Sequence, residues 1–329
     1  MEQDALYMDL RAAGQVLSTM LGEMRMPDGW ATDYSDPNHR PLKVVMFLAA
    51  HATEAFSLAE IARFLELSKG SAHRVMTALT NTGFVSRHPR HKTYTLGMAL
   101  VAIGQAALDR YPGIVIAKRE MARLRAELNI GFGATAIVND AYLLLAREGT
   151  PRSHDGLTLV GERRVVVPSI GIGQLAWCRN DEIEAYLAKG SAYLSDGVRD
   201  HMRACMPAIR RRGFSVAADG IGIHRLLKAT VIPLGQPAEA RFPESMLHDV
   251  GAISASEFQM LDWKEADGKG INYVAAPVFS PDGEVCMEIV MSAFPESLGI
   301  SDIERYTVKL SQAADTVTSE IRGRKPKPW

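Results

Sequence analysis

"LSKGSAHRVMTALTNTGFVSRHPRHKTYTLG", residues 67–97, joins a helix-spaced apolar pattern, a glycine stop and a short alternating stretch rich in basic residues. Ser68 stands where a helix N-cap belongs, and Ala72, Val75, Met76 and Leu79 recur at spacings of one, three and four that place them on one helical face. The opposite face then carries Gly70, His73, Arg74, Thr77 and Asn81, which are small or hydrogen-bonding residues. Gly83 ends the helix. Phe84 to His88 and Thr93 to Leu96 alternate like the strands of a small hairpin, with HPRHK at its tip.

Upstream, Leu42 to His51 reads as a first helix. Ser57-Leu-Ala-Glu60 is a capping box that opens a second, whose inner face is Leu58, Ile61, Ala62 and Leu65. Three short helices followed by a basic hairpin predict a winged helix-turn-helix over residues 40–97. Its third helix fits the major groove of B-DNA. In that reading Arg74 forks onto a guanine edge, His73, Thr77 and Asn81 read neighbouring bases, and Gly70 keeps the same face small. Ser68, with the free N–H groups of the helix start, bonds phosphate, and Lys69, Ser71, Arg87, Arg90 and Lys92 hold further phosphates. The bland alternative is a solvated helix face. A metal site at His73, His88 and His91 lacks an acidic or thiol partner to complete a tetrahedral set.

The charge is local. The chain carries 37 Lys and Arg against 38 Asp and Glu, a formal net charge of −1. Between Arg40 and Met98, eight basic residues face three acidic ones, so this segment is +5 and the remainder is −6. Such asymmetry is expected where one domain meets a polyanion and another does not. At 329 residues and 47% hydrophobic composition, the chain is long enough for more than one core. No run reaches the roughly 20 apolar residues of a membrane span, and MEQDALYMDLRAAG lacks the basic and apolar regions of a signal peptide, so a cytoplasmic location is expected. Cys178, Cys205 and Cys286 are far apart and odd in number, which predicts buried thiols rather than a disulfide framework. No cofactor is implied.

The order SLAEIARFLELSKGSAHRVMTALTNTGFVSR…YTLG, from Ser57 to Gly97, resembles the DNA-binding domain of IclR-type bacterial transcriptional regulators. The likeness continues: Gly97 to Tyr111 resembles that family's interdomain linker helix, and the chain from residue 112 onward resembles its GAF-like effector-binding domain. The fold implied is α+β, an N-terminal winged helix-turn-helix and a C-terminal antiparallel sheet flanked by helices. The expected partition is 1–39 as a helical extension and linker, 40–97 as the DNA-binding domain and 98–111 as the linker helix. An effector-binding domain at 112–322 and a basic tail at 323–329 complete it. Within the extension, Leu6, Leu10, Ala13, Leu17, Leu21 and Met24 form one apolar stripe, which either pairs with a second copy or lies on the chain's own core.

Residues after 112 agree on their own terms. Ala117 to Leu128 is an amphipathic helix, and Gly133 to Val138 and Tyr142 to Glu148 are strands joined by a turn at Asn139-Asp140. Arg163 to Pro168 and Phe214 to Ala217 read as strands, residues 181–188 and 197–212 as helices. Asn272 to Phe279 and Val285 to Ser292 form a hairpin, Ser301 to Ile321 a terminal helix, and the tail RGRKPKPW is expected to be disordered.

Gly171 and Gly173 allow close backbone approach at a helix start, where a carboxylate is favoured, although glycines in such a turn often satisfy geometry alone. The resemblance implicates Gly171, Ile172, Gly173, Tyr273, Val290 and Ser292 in effector binding, with Asp262 or Asp267. Ile170, Gln174 and Tyr273 replace the Thr or Ser, Lys or Arg, and Cys frequent in the family, and Val290 stands where Ser can occur. They imply a less polar cavity with one phenol, suited to an aromatic or largely apolar acid. Residues 220–269 form an insertion with too much apolar content for a loose loop, expected to lid the pocket, cover the sheet or join an interface.

These readings predict a regulator that binds a roughly palindromic operator in double-stranded DNA as a homodimer or dimer of dimers, controlled by a small organic acid. The alternatives are an effector-independent architectural DNA binder, and an enzyme using Cys178, His201 and Asp181 or Asp196, for which no nucleophile elbow or metal motif is present.

Overall fold

A computed structural model describes residues 37–149, 159–232, 253–266, 270–295 and 298–326. The apolar stripe at 5–24, the middle of the insertion and Asp267 lie outside the described residues. The chain divides into two compact units that part between Leu100 and Val101.

In the first unit, helix α1 (Arg40–Ala50) has a proline in its opening turn, where no intrahelical N–H is missed. A short strand β1 (Phe56–Ser57) leads into α2 (Leu58–Phe64) through the expected capping box. The Ser57 hydroxyl accepts from the Glu60 amide at 3.3 Å, and the Ser57 amide donates to the Glu60 carboxylate at 2.7 Å. Helix α3 (Lys69–Asn81) is followed by β2 (Val85–Arg87) and β3 (Thr93–Leu96). The strands form an antiparallel sheet in the order β1-β3-β2, with Phe56 opposite Tyr94 and Arg87 opposite Tyr94 on the other side. Val44, Phe47, Leu48, Ile61, Leu65, Met76 and Leu79 close one core around these elements.

The second unit is built on a six-stranded antiparallel sheet. Helix α4 (Ala99–Arg110) begins at the boundary, α5 (Pro112–Leu128) follows, and then come β4 (Gly131–Val138), β5 (Ala141–Glu148) and β6 (Arg163–Val165). Helices α6 (Ile172–Leu175), α7 (Asn180–Ala188) and α8 (Asp196–Arg212) precede β7 (Ser215–Ala218). Helices α9 (Ile221–Ala229) and α10 (Ala255–Phe258) belong to the insertion, and β8 (Ile271–Phe279), β9 (Val285–Ser292) and α11 (Ile300–Glu320) complete the chain. The strand order is β6-β5-β4-β9-β8-β7.

Period-two alternation gives this sheet two different faces. One carries Phe132, Ala134, Val274, Ala276, Ile289 and Met291, which pack with Met121 and Leu124 of α5 and with Ile303, Leu310 and Val317 of α11. Each of the larger of these side chains contributes about 1.5–3 kcal/mol by leaving water. The other face carries Gly133, Thr135, Tyr142, Tyr273, Glu288 and Val290, and it lines a cavity.

Two expectations are corrected by the fold. The strand expected from Arg163 to Pro168 is only three residues long, because the chain turns into the segment before α6. The tail is docked through residue 326 rather than disordered: the Arg324 amide donates to the Ser280 carbonyl at 3.0 Å, and Lys325 lies 3.4 Å from Asp315. Backbone donors and an ion pair thus substitute for the apolar content that RGRKPKPW lacks.

The described parts of the insertion fold onto the sheet. Thr230 and Ile232 exchange backbone hydrogen bonds with β6, the Val165 amide donating to Thr230 and the Ile232 amide to Arg163, each at 2.8 Å. They cover an edge that would otherwise invite another chain. Leu227 of α9 lines the cavity, so this part of the insertion both walls the pocket and extends the sheet.

Candidate nucleic-acid interface and ligand pocket

Helix α3 is capped as its sequence dictates, the Ser68 hydroxyl accepting from the Ser71 amide at 3.2 Å. Ala72, Met76 and Leu79 are buried and Val75 is half-buried, while Ser68, Lys69, Gly70, His73, Arg74, Thr77 and Asn81 are exposed. The helix therefore turns its apolar side inward and its cationic side outward. Arg87, Arg90 and Lys92 are exposed at the hairpin, where Lys92 takes a left-handed conformation (φ 56°) that lets the tip turn back. The Arg87 guanidinium lies over the Tyr94 ring, 5.5 Å from its centroid, which holds the cation at the hairpin surface. Among the described residues, no acidic side chain pairs with Lys69, Arg74, Arg87 or Lys92.

Ser71 differs from the reading of its sequence. Its side chain is buried, and its hydroxyl accepts from the Arg40 guanidinium at 2.8 Å. It ties α1 to α3 instead of facing outward, because its position on the helix falls beside the apolar stripe. Arg40, which carried no role in the sequence reading, supports α3 through this bond.

The cavity of the second unit measures about 110 Å³. Gly171, Ile172, Gly173, Tyr273, Val290 and Ser292, all singled out from sequence, line it. Gly171 has φ +82°, a conformation that suits glycine, and it turns the chain into α6. A Cβ on Gly173 would stand 1.9 Å from a Glu288 carboxylate oxygen and 2.8 Å from the Ser215 hydroxyl. The absence of a side chain there is what lets Glu288 reach its place. Asp262 is not in this set: it is exposed and accepts from the Lys264 amide at 3.0 Å, closing the turn before a 3-10 helix at Trp263–Ala266.

The cavity is also more polar than expected. Tyr142 adds a second phenol, and Glu288 and Arg164 add two buried ionisable groups at 1% and 4% exposure. Glu288 Oε2 accepts from the Gln174 amide nitrogen at 3.2 Å and from the Tyr142 hydroxyl at 3.3 Å, and Tyr142 accepts from Thr135 at 2.8 Å. The Gln174 orientation is fixed because its oxygen accepts from the Ile137 amide at 3.1 Å. Burial pushes the Glu288 carboxyl up to about 7, and the bonds from Gln174 and Tyr142 work against that rise. Burial also raises both phenols, Tyr142 and Tyr273, with the Glu288 charge adding to the effect.

Arg164 sits directly across from Tyr142 in the β5–β6 register, hence on the same face. Its Nη2 pairs with Glu162, also buried, while burial pulls its guanidinium down from the usual range. Sequence reasoning missed Glu288 and Arg164. The available signal for Glu288 was a single charge inside the otherwise apolar strand VCMEIVMS, whereas Arg164 sits in the charged run Glu162-Arg163-Arg164 and gave none.

The groups considered for nucleophilic catalysis are engaged elsewhere. Burial pushes the Cys178 thiol up to about 11, opposite to what a nucleophile needs. A His201 ring nitrogen lies 2.8 Å from the Gln259 carbonyl, Asp181 pairs with Arg179 at 3.1 Å, and Asp196 pairs with Arg199.

Comparison with known proteins adds to this geometry. Residues 40–89 match the family model for the IclR helix-turn-helix domain. The glycerol operon regulatory protein of Streptomyces griseus is 39% identical over 62 residues, a match that spans 19% of this chain and only 24% of that protein. In fold, the chain is similar to the IclR protein of Thermotoga maritima, with a TM-score of 0.57 and 16% identity over 87% of this chain and 98% of that one. It is also similar to an IclR transcriptional regulator from Alicyclobacillus acidocaldarius (0.54, 19% identity, 87% and 98% covered). An IclR homolog from Microbacterium hydrocarbonoxydans, solved in complex with 4-hydroxybenzoate, gives 0.54 and 17% identity with 87% and 99% covered. Among the described residues, no helix is long and apolar enough to cross a membrane. Residues 40–89 are thus an IclR-type helix-turn-helix domain, in a chain whose fold is that of the IclR structures named above.

Proposed function

We propose that the protein is a ligand-controlled transcriptional regulator. Helix α3 enters the major groove, Arg74 forks onto a guanine edge, and His73 and Thr77 contact neighbouring bases. Ser68, Lys69, Arg87, Arg90 and Lys92 hold phosphates on either side, which gives affinity without sequence information. One such helix contacts few base pairs, so a homodimer or dimer of dimers on a roughly palindromic operator supplies the remaining contacts. A small organic acid in the cavity of the second unit controls operator binding. It does so only if its affinity differs between two arrangements of the reading heads. The complex of the Microbacterium homolog with 4-hydroxybenzoate supports a ligand of this kind.

The observation that carries the proposal is the two-sided burial of α3, with Ala72, Met76 and Leu79 inside and Lys69, His73, Arg74 and Thr77 outside. The test is fluorescence anisotropy of the full chain on duplexes selected from a random pool. Arg74→Ala should erode the preference for selected over random duplex by roughly ten- to a hundredfold, the worth of one bidentate base contact. Lys92→Ala should weaken both duplexes alike and make the salt slope shallower by about one unit. An unchanged preference in the first variant, or a loss confined to the selected duplex in the second, contradicts these roles.

A further inference from the structure

The cavity presents two buried groups whose hydrogen-bonding capacity is left open on the same face of the sheet. Arg164 spends Nη2 on Glu162, while its Nε and Nη1 have no hydrogen-bond partner among the described residues. Glu288 spends Oε2 on Gln174 and Tyr142, while its Oε1 has none among the described residues. Buried polar atoms are otherwise almost always satisfied. Two donors at one end and one acceptor at the other define a complementary guest.

We propose that the cavity selects a small bipolar ligand, with a carboxylate received by Arg164 at one end and a hydroxyl or amine donor received by Glu288 Oε1 at the other. The proposal rests on the reading of this cavity as the effector site and names the ligand class that the site takes. A carboxylate is chosen for the Arg164 end because the guanidinium offers N–H groups in a planar fork and cannot accept. A donor is chosen for the Glu288 end because both neighbours already donate to Oε2, which leaves Oε1 the open acceptor of the ionised carboxylate. The titrations are therefore run above about pH 8, where the carboxyl, raised by burial to about 7, has released its proton.

The spacing agrees. Arg164 and Glu288 lie on β6 and β9, three strand positions apart in the order β6-β5-β4-β9, which is about 14 Å between backbones at about 4.8 Å per step. With both side chains reaching inward, the gap suits a ring-sized molecule better than a two-carbon acid. The cavity volume of about 110 Å³ is of the same order as engineered cavities of about 150 Å³ that hold benzene. Tyr142, opposite Arg164 in register and bonded to Glu288, stands between the two ends as a wall of the slot. Gly173 belongs to the same device, since any side chain there would drive the Glu288 carboxylate out of position.

The substitution Glu288→Gln gives a test that does not depend on stability. Gln174 and Tyr142 both donate, so the new amide turns its oxygen toward them. Its NH₂ then occupies the place of Oε1, and an acceptor becomes a donor.

Isothermal titration calorimetry on the full chain would use 4-hydroxybenzoate and 4-aminobenzoate as bipolar probes. Benzoate lacks the donor, phenol lacks the carboxylate, and 4-formylbenzoate carries an acceptor in place of the donor. The wild-type protein should bind the bipolar probes at least tenfold more tightly than benzoate, phenol or 4-formylbenzoate. Glu288→Gln should reverse the order, with 4-formylbenzoate preferred over 4-aminobenzoate, whose ring-conjugated amine donates but hardly accepts. Failure of both bipolar probes to bind the wild type, equal binding of benzoate and 4-hydroxybenzoate, or an order unchanged in Glu288→Gln would each overturn the proposal.

Val290→Phe, which fills the cavity, separates this outcome from failure of the underlying reading. If benzoate binds as well as 4-hydroxybenzoate and Val290→Phe abolishes both, the cavity remains the effector site and the bipolar pairing is wrong. If 4-hydroxybenzoate binds Val290→Phe as tightly as wild type, it binds outside the cavity, and both the effector-site reading and the pairing fall.

Discussion

Gly173 has no room for even a methyl group, because a Cβ there would lie 1.9 Å from the Glu288 carboxylate. Gly173→Ala should therefore destabilise the protein by about 1–3 kcal/mol, the typical cost of overpacking, read as a lower urea midpoint for the second unit. A midpoint within error of wild type would mean that Glu288 yields freely. Glu288 itself makes stability depend on pH. Its folded value of about 7 lies above the ordinary 4.5, so the folded protein keeps a proton that the unfolded chain has released. The cost is absent below about pH 4.5, grows as pH rises to about 7 and is constant above that, reaching up to about 3 kcal/mol. Glu288→Gln, which carries no ionisable group, should gain stability relative to wild type as pH rises from 5 to 8 in parallel thermal melts. Parallel curves would show that the carboxyl is not buried as described. At this scale the glycines of the pocket were legible in sequence, since a turn followed by a helix start limits what Gly171 can be doing. Glu288 was not. In a sheet covered on both faces, alternation does not reveal which face holds the cavity, and VCMEIVMS reads as a plain buried strand with one misplaced charge.

Helix α3 depends on its own cap and on α1. Ser68→Ala removes the acceptor for the Ser71 amide and should cost the N-terminal unit about 1 kcal/mol, with DNA affinity falling for all sequences as the first turn frays. Denaturation of the full chain followed by a probe in residues 40–97 would measure this. A stability unchanged by the substitution would assign the helix start to the Arg40–Ser71 bond alone. The elements themselves were largely legible where the signal is local: the capping box at Ser57, the helix from Lys69, the hairpin of β8 and β9, and the terminal helix. What was missed is long-range. Pairing of Thr230 and Ile232 with β6 and docking of Arg324 against Ser280 join residues distant in sequence, and no periodicity announces them. Ser71 was misjudged because the boundary between the buried and exposed sides of α3 passes through its position, and only Arg40, on another helix, decides the matter.

For the whole molecule, a net charge of −1 conceals a +5 segment and a −6 remainder. Total charge therefore says nothing about DNA affinity here, while the distribution of charge does. The measurement that tests the account most directly is the salt dependence of full-chain binding to a selected duplex, followed by anisotropy between 50 and 300 mM salt. With Lys69, Arg87, Arg90 and Lys92 presented by each head of the proposed dimer, log affinity should fall against log salt with a slope steeper than about −4. A slope near zero, or no saturable binding to duplex DNA at the lowest salt, would contradict the claim that the outward face of α3 meets the phosphate-lined groove.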